Sequence, residues 1–296
     1  QLFGIGITEL TSLLARRSVY CSKYPNSIYS VSPFDDTSGN IRFKRVQHRW
    51  KNGRCEWCGA SEEQFGEKKR EGLETHAYEF IHTGKLEEMF GMKFDVIIGN
   101  PPYQLDTGGS GRQATPIYHM FVRQAKKLNP RFLTMIIPSR WFAGGMGLGS
   151  FREEMLSDMH ITSFTDFPNA KDCFPQNSIS GGVCYFLRER DVEKECSFTN
   201  ISGNQVNTMH RNLHEFSVMV RYNKAVEILR KLDYLNNSLY GIVSSISPFG
   251  IPTNVRGKDC WSEGTVALFS SNGVSYIDKA VIQKGSEYIG KYKVLV

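Results

Sequence analysis

The sequence predicts an α/β fold, in which helices cover a sheet that contains parallel strands. Residues 94–99 form a short apolar run, bounded by glycine, of the kind that builds a buried parallel strand. Residues 117–128 place apolar side chains on one helical face, and residues 132–138 form a second buried apolar run. This order of strand, helix and strand is typical of α/β proteins.

Length and composition narrow the class of protein. The chain has 296 residues, of which 40% are hydrophobic, enough for one sizeable core and a smaller second unit. No apolar run approaches the ~20 residues that span a bilayer, and no secretory signal opens the sequence. Seven irregularly spaced cysteines do not resemble a secreted disulfide framework. We therefore expect a cytoplasmic protein without membrane segments.

The charge allows a polyanionic partner without establishing one. The chain carries 36 Lys and Arg against 30 Asp and Glu, a formal net charge of +6. This balance also fits a slightly basic soluble protein that binds no nucleic acid.

The first elements are a predicted strand at residues 3–7 and a helix at residues 9–20. Thr8 is a plausible N-cap. Apolar residues follow at roughly helical spacing: Leu10, Leu13, Leu14 and Val19.

A polar insertion is predicted at about residues 23–72, which are rich in Ser, Gly, Asn and charge. It contains the knuckle-like stretch Cys55-Glu56-Trp57-Cys58-Gly59. Zinc needs four ligands, and a second Cys-x-x-Cys is missing from the sequence. His48, His76 or His82 could complete a site, although their spacing fits no standard pattern. We assign no metal ligand and favour two reduced structural thiols, with zinc as the alternative.

The tetrapeptide Asn100-Pro101-Pro102-Tyr103 directly follows the strand at residues 94–99. Neither proline carries an N–H and each fixes its own φ, so the backbone is held extended and stiff. The Asn100 side chain and the Pro101 carbonyl are thus left as acceptors that face one small volume, with the Tyr103 ring just beyond. Two acceptors and a ring suit a planar base with an exocyclic amino group. The alternative is a strand that ends in a proline turn, with Tyr103 packed in the core.

The remaining elements follow in order. We predict a strand at residues 76–81, a mobile loop at 104–111 and a helix at 150–159, with further strands at 164–167 and 182–187. Phe174 lies between those last two strands, before an apolar run. One helix is predicted from residue 212 to 232, and short β-like runs follow it.

The stretch from Asn100 to Tyr103 resembles motif IV of the amino-methyltransferases that use S-adenosylmethionine, in the form found in DNA adenine-N6 methylases. The chain is most similar to the gamma class, in particular to methylase modules of type II/IIG restriction–modification enzymes. The resemblance implies a Rossmann-like methyltransferase sheet, incomplete at its N-terminus, with a second, partial α+β target-recognition domain. It places the catalytic domain at residues 1–205, a linking helix at 206–235 and the start of the recognition domain at 236–296.

The resemblance also implies roles for single residues. Asn100 and Pro101 would orient the N6 amino group of a flipped adenine, Pro102 would stiffen the loop, and Tyr103 would stack on the base. Phe174, in a stretch that resembles motif VIII, would hold the base from another side, or be plain core. Glu79 and Phe80 would contact the adenine of S-adenosylmethionine, the alternative being an exposed acid beside a core ring.

The sequence departs from the family at the cofactor site. Gly6 stands where the family places the acid that binds the cofactor ribose, and Glu9 comes three residues later. The Gly-rich cofactor loop belongs upstream of the first residue. We therefore expect this chain alone to bind S-adenosylmethionine weakly.

The expected partners are double-stranded DNA and an endonuclease domain or subunit. Two other functions stay open. The chain could be a catalytically inactive DNA-recognition subunit or fragment, or a protein-glutamine methyltransferase, which shares the Asn-Pro-Pro-Tyr motif. The second is disfavoured because nearly two hundred residues follow Tyr103.

Overall fold

The structure is a computed structural model that describes residues 2–6, 8–44, 46–66, 79–105, 115–232, 242–244, 247–252, 254–271 and 273–292. The chain divides into two compact units, Gln1–Glu227 and Ile228–Val296. None of the helices in these ranges is long and apolar enough to cross a membrane.

The N-terminal segment begins with β1 (Gly4–Ile5), which pairs in parallel with β2 (Ile41–Arg42). Between them lies α1 (Glu9–Tyr20), which confirms the predicted helix. The Thr8 hydroxyl accepts a hydrogen bond from the Thr11 N–H, and the Thr11 hydroxyl accepts one from the Thr8 N–H. This reciprocal pair is a capping box, so Thr8 is the N-cap as predicted.

The apolar spacing of α1 does not bury a face. The residues that predicted the helix are all exposed in the structure, namely Leu10, Leu13, Leu14 and Val19. The spacing was therefore right about the element but gave no information on which surface packs.

A small hairpin lies in the insertion. β3 (Trp50–Lys51) and β4 (Arg54–Cys55) pair antiparallel. Asn52 and Gly53 join them and both have positive φ, as a type I′ turn requires. The short helix α2 (Glu62–Phe65) follows.

Six strands of the described chain form the central sheet. Their order across the sheet is β10-β9-β7-β8-β6-β5. Their bounds are β5 (Val96–Gly99), β6 (Phe132–Pro138), β7 (Ile161–Phe167), β8 (Val183–Glu189), β9 (Cys196–Ser202) and β10 (Gln205–Arg211). The sheet is mixed: β5, β6, β7 and β9 run in one direction, whereas β8 and β10 run in the opposite one.

The helices of the sheet region are α3 (Leu86–Phe90), α4 (Tyr118–Lys127) and α5 (Gly149–Leu156). α4 confirms the helix predicted at residues 117–128, and it buries Phe121 and Ala125 as its periodicity indicated. The sheet core is fully buried at β6 and β8, for example at Leu133, Ile137 and Phe186.

The predicted burial of β5 was wrong. It is a parallel strand, paired with β6 from Val96↔Phe132 to Gly99↔Met135, but it is not buried. β5 forms the edge of the six-stranded sheet, and the Ile98 side chain is 78% exposed. An apolar run alone cannot distinguish a central strand from an edge strand, because composition does not report what covers each face.

Two further predictions of secondary structure were wrong. Residues 79–81 form a single 3₁₀ turn rather than the end of a strand, and residues 76–78 lie outside the described ranges. Within the helix predicted at residues 212–232, only α6 (Asn223–Lys231) is helical. The preceding strand, β10, ends at Arg211. Much of the predicted mobile loop at 104–111 also falls outside the described residues.

The second unit contains a hairpin of β11 (Thr265–Ser270) and β12 (Gly273–Asp278), which pair antiparallel along their whole length. Two single 3₁₀ turns follow, Lys279–Val281 and Ser286–Tyr288.

Candidate active site

The site lies where β5, β6 and β7 end. Because these three strands run in the same direction, their carboxyl ends share one edge of the sheet, which is where α/β proteins bind ligands. Asn100 follows β5 at this edge, Ser139 and Arg140 follow β6, and Phe174 lies in the connection from β7 to β8.

The motif backbone is pinned by the segment before α4. The Ile117 N–H donates to the Tyr103 carbonyl at 3.2 Å, and the Leu105 N–H donates to the Thr115 carbonyl at 2.9 Å. The two prolines need no such partner, since they carry no N–H. The tetrapeptide is therefore fixed on both sides, by β5 before it and by residues 115–117 after it.

Two cavities meet at the motif. The first, of about 800 Å³, lies along β5 and is lined by Phe80, Asn100 and Pro101 among others. The second, of about 600 Å³, is lined by all four motif residues and by Phe174. Asn100 and Pro101 thus line both cavities, and the structure places Tyr103 and Phe174 together in the second.

Aromatic rings form much of the wall of the first cavity. Phe80, Phe90, Phe94 and Phe3 make a chain of edge-to-face contacts, with successive centroids 6.3, 5.0 and 5.6 Å apart. Of these four, only Phe80 was predicted from the sequence to contact a ligand. The rings come from three separate segments, so their convergence has no local sequence signal.

Glu79 lies apart from both cavity linings. Its carboxylate accepts from the Lys44 Nζ at 3.0 Å, in an ion pair in which the lysine side chain is two-thirds exposed. The structure therefore brings Phe80, but not its neighbour Glu79, into the lining of the first cavity, which Asn100 also lines.

The Tyr103 ring is half-buried in the second cavity. Its hydroxyl is buried and, among the described residues, has no hydrogen-bond partner. Burial raises the pKa of Tyr103 to about 12, with smaller contributions from Cys173 and Cys184. The phenol is therefore neutral at physiological pH, and it offers the cavity a ring rather than a charge.

Phe174 is held by its loop. Its N–H donates to the Ala170 carbonyl at 2.7 Å, and the Asp172 carboxylate accepts from the Gly203 N–H at 2.9 Å. One side of Phe174 packs with the cluster of Phe167, Ala170 and Val183, while the residue also lines the second cavity. The ring is thus partly core and partly cavity wall, and its contact with a base stays a prediction.

The family model for the Eco57I restriction-modification methylases matches residues 1–174, which is more than half of the chain. The chain belongs to this family.

A relative of this Eco57I-family chain is a Mycoplasma pneumoniae protein described as an uncharacterized adenine-specific methylase. The two are 33% identical in an alignment of length 277 that covers 83% of this chain and 64% of the relative. The chain thus spans less than two thirds of the length of that protein.

Solved structures show a more distant likeness. The type I restriction-modification methyltransferase subunit from Streptococcus thermophilus is 14% identical, with a TM-score of 0.28, over 47% of this chain and 31% of that chain. The type IIG restriction endonuclease BpuSI is 14% identical, with a TM-score of 0.27, over 46% of this chain and 17% of that chain.

Behind the second cavity, the Eco57I-family chain has a buried polar network that the sequence did not reveal. Asp166, near the end of β7, is fully buried. Its carboxylate accepts from the Ser139 hydroxyl at 2.8 Å and from two Arg221 nitrogens at 2.7 and 2.9 Å. Asn200 also donates to it, at 3.4 Å. This network ties the ends of β6 and β7 to the segment before α6.

Gly182, just before β8, lies against the ends of β6 and β7. Its φ is +84°, and a Cβ there would lie 2.2 Å from the Phe167 carbonyl oxygen. The Ser139 N–H donates to the Gly182 carbonyl at 3.0 Å. Only glycine allows β7, β8 and the end of β6 to approach so closely at this position.

Proposed function

We propose that the chain is the catalytic part of an S-adenosylmethionine-dependent DNA methyltransferase that modifies N6 of adenine, as one component of a restriction–modification system. The observation that carries this proposal is the shared wall of the two cavities, formed by Asn100 and Pro101. A group-transfer enzyme has to bring two ligands together at one point. Acceptors that line both cavities are placed at such a point.

The acceptors match the amino group of adenine. The N6 lone pair is delocalised into the ring, so the amino group is planar and a poor nucleophile. In this proposal its two N–H groups donate to the Asn100 side-chain oxygen and to the Pro101 carbonyl. These bonds draw the nitrogen toward tetrahedral geometry and localise the lone pair. Orientation of this kind supplies much of the rate acceleration without requiring a general base whose pKa is strongly shifted.

The second cavity suits an unstacked base. A base outside the duplex loses its stacking, and aromatic rings replace part of it, at about 1–3 kcal/mol for each ring. Tyr103 and Phe174 are two of the three aromatic residues that line the cavity, the third being the buried Tyr118, and Pro138 and Ile179 add apolar side chains. Arg140, exposed at the same cavity, places a positive charge where the phosphate backbone of an extruded nucleotide would run.

The first cavity suits the cofactor. An apolar wall of rings favours a flat heterocycle such as adenine, and Phe80 is buried in that wall. S-adenosylmethionine supplies an electrophilic methyl group when it is bound. The role of Glu79 toward the cofactor adenine stays a prediction, because Glu79 does not line the first cavity and its Oε1 accepts from Lys44.

DNA and an endonuclease partner belong to the same proposal. The formal charge of +6 favours a polyanion. The family to which the chain belongs is named for restriction and modification, and the relative from Mycoplasma pneumoniae is described as adenine-specific.

The test is to identify the methylated product. The protein, as encoded in its gene, is incubated with deuterium-labelled S-adenosylmethionine and double-stranded DNA, and the digested nucleosides are separated by mass spectrometry. We expect labelled N6-methyladenine. Label in cytosine, label in glutamine of an added protein substrate, or no label at all would contradict the proposal.

A further inference from the structure

Four potential metal ligands from separate parts of the first unit converge at one place. They are His48, Cys55, Cys58 and His82, and their ligand atoms all lie within 4.8 Å of one another. Cys58 Sγ is 3.3 Å from His48 Nδ1, and Cys55 Sγ is 3.9 Å from His82 Nε2. The first three residues are buried, and His82 is half-buried.

These distances suit a tetrahedral ion. With Zn–S bonds of about 2.3 Å and Zn–N bonds of about 2.0–2.1 Å, tetrahedral ligand atoms lie roughly 3.3–3.8 Å apart. Of the two sulfur–nitrogen distances, 3.3 Å lies at the lower end of that range and 3.9 Å lies just above it, while the upper limit of 4.8 Å for the set exceeds the range by about one ångström. A small inward shift of the side chains would close the set around one ion.

The backbone turn that carries the two thiols is similar to that of a zinc knuckle. Cys55 ends β4, immediately after the Asn-Gly turn of the hairpin. Its N–H donates to the Ala60 carbonyl at 2.8 Å, and its carbonyl accepts from the Gly59 N–H at 3.0 Å. Gly59 has a φ of +71°, which lets the chain turn back directly after Cys58. This tight turn directs both sulfurs to one side.

Ordinary core packing explains the four residues less well. A buried reduced thiol behaves as a small hydrophobic group and needs no special partner. The two imidazole rings beside these thiols are not explained in this way, because each ring brings polar nitrogens into the interior. His48 stacks on Trp50, with centroids 4.8 Å apart, and its Nδ1 is directed at the Cys58 sulfur. The arrangement brings the sulfur and nitrogen atoms that can bind a metal close together.

We propose that His48, Cys55, Cys58 and His82 bind one zinc ion as a structural Cys₂His₂ site. Four protein ligands complete a tetrahedron and leave no open position for a substrate, which is typical of structural zinc rather than catalytic zinc.

The ion would join the insertion to the wall of the first cavity. His82 directly follows the 3₁₀ turn that contains the buried Phe80. The Gln124 amide already holds this segment, donating to the Phe80 carbonyl at 2.7 Å and to the Thr83 carbonyl at 2.9 Å. Zinc would fix the same segment to the hairpin from its other side. The site stands on its own ligands and does not depend on the proposed methyl transfer.

The first test is the metal content. The chain is produced in medium supplemented with zinc, freed of loosely bound metal, and measured by inductively coupled plasma mass spectrometry. We expect one zinc per chain in the wild type and a loss of at least half of it in Cys58→Ser. Cys196→Ser is the matched control, because Cys196 is also buried but lies in β9, outside the cluster. It should retain one zinc. A wild-type chain that is soluble and free of zinc would overturn the proposal.

A second measurement keeps the test valid if Cys58→Ser does not fold. The wild-type chain is stripped with a chelator and titrated with Co²⁺, whose absorption reports its geometry. We expect saturation at one cobalt, intense visible bands of a tetrahedral ion, thiolate-to-cobalt charge transfer, and displacement of all of these by Zn²⁺. Weak bands of an octahedral ion, or no charge transfer, would overturn the proposal.

Discussion

Tyr103 and Phe174 line the same cavity, although one follows β5 and the other follows β7. The intervening strand β6 ends between them in the sequence, and its last residue, Pro138, lines the cavity as well. Two rings from different loops can hold a flat ligand only if the loops are fixed relative to each other. The shared carboxyl edge of β5, β6 and β7 fixes them.

Replacing Asn100 with alanine should abolish methyl transfer while leaving ligand affinity largely intact. In the proposed mechanism the side chain orients the reacting amino group, so its loss should lower the rate at least ~10²-fold, the usual cost of removing a positioning contact. Transfer is measured with tritiated S-adenosylmethionine, and DNA and cofactor binding by titration. Asn177→Ala, at the same cavity, should keep most of the activity. Retention of more than about a tenth of the rate by Asn100→Ala would remove the role assigned to it.

Replacing Tyr103 with alanine should weaken binding of DNA that carries an unpaired target adenine. Loss of one stacking ring corresponds to about 1–3 kcal/mol. Tyr103→Phe should bind nearly as well as the wild type, because the buried hydroxyl has no hydrogen-bond partner among the described residues. Affinities are compared by fluorescence anisotropy on a mismatched duplex. Equal losses in both variants would rule out a stacking role.

Replacing Asp166 with asparagine should destabilise the first unit. The change leaves the largely buried Arg221 guanidinium without its counter-charge, and breaking a buried ion pair costs about 3–5 kcal/mol. Urea denaturation gives the free energy of unfolding. Asp191→Asn is the control, since Asp191 and Arg190 form an exposed pair whose loss should change stability very little. An Asp166→Asn variant as stable as this control would contradict the importance given to the network.

The stability of the chain should fall between pH 6.5 and 4 because of His119. Burial, with a smaller contribution from Arg123, lowers the pKa of His119 from 6.5 to about 4, while Glu154 opposes the shift. In this window the unfolded chain binds a proton that the folded chain does not, so the free energy of unfolding decreases as the pH falls. The contribution of His119 to this decrease ends below about pH 4, where the residue is protonated in both states.

The matched variant for this pH dependence is His119→Gln, which keeps a polar side chain without titrating. Urea denaturation at a series of pH values should show a shallower decrease between pH 6.5 and 4 for the variant than for the wild type. Parallel curves for the two proteins would show that another group is responsible.

The sequence predicted the helix and the strand that follow the motif well. Residues 117–128 and 132–138 became α4 and β6 with nearly the expected bounds, because each carries an unbroken apolar pattern of the right period. The apolar stripe from residue 212 to 232 was misleading. Val218 and Tyr222 lie before α6 and are exposed, so the spacing of these residues was not produced by a helical face.

The candidate site was partly predictable for a similar reason. The motif residues are consecutive, so their meeting place follows from one strand end. The partnership of Asp166 and Arg221, and the rings of Phe3, Phe90 and Phe94, depend on how distant segments pack. No local sequence pattern reports such contacts between distant segments.

The wall shared by the two cavities has a thermodynamic consequence. Asn100 and Pro101 belong to the linings of both cavities. Under the proposed function, thermodynamic linkage requires that any effect of bound cofactor on the affinity for the base equal the effect of bound base on the affinity for the cofactor.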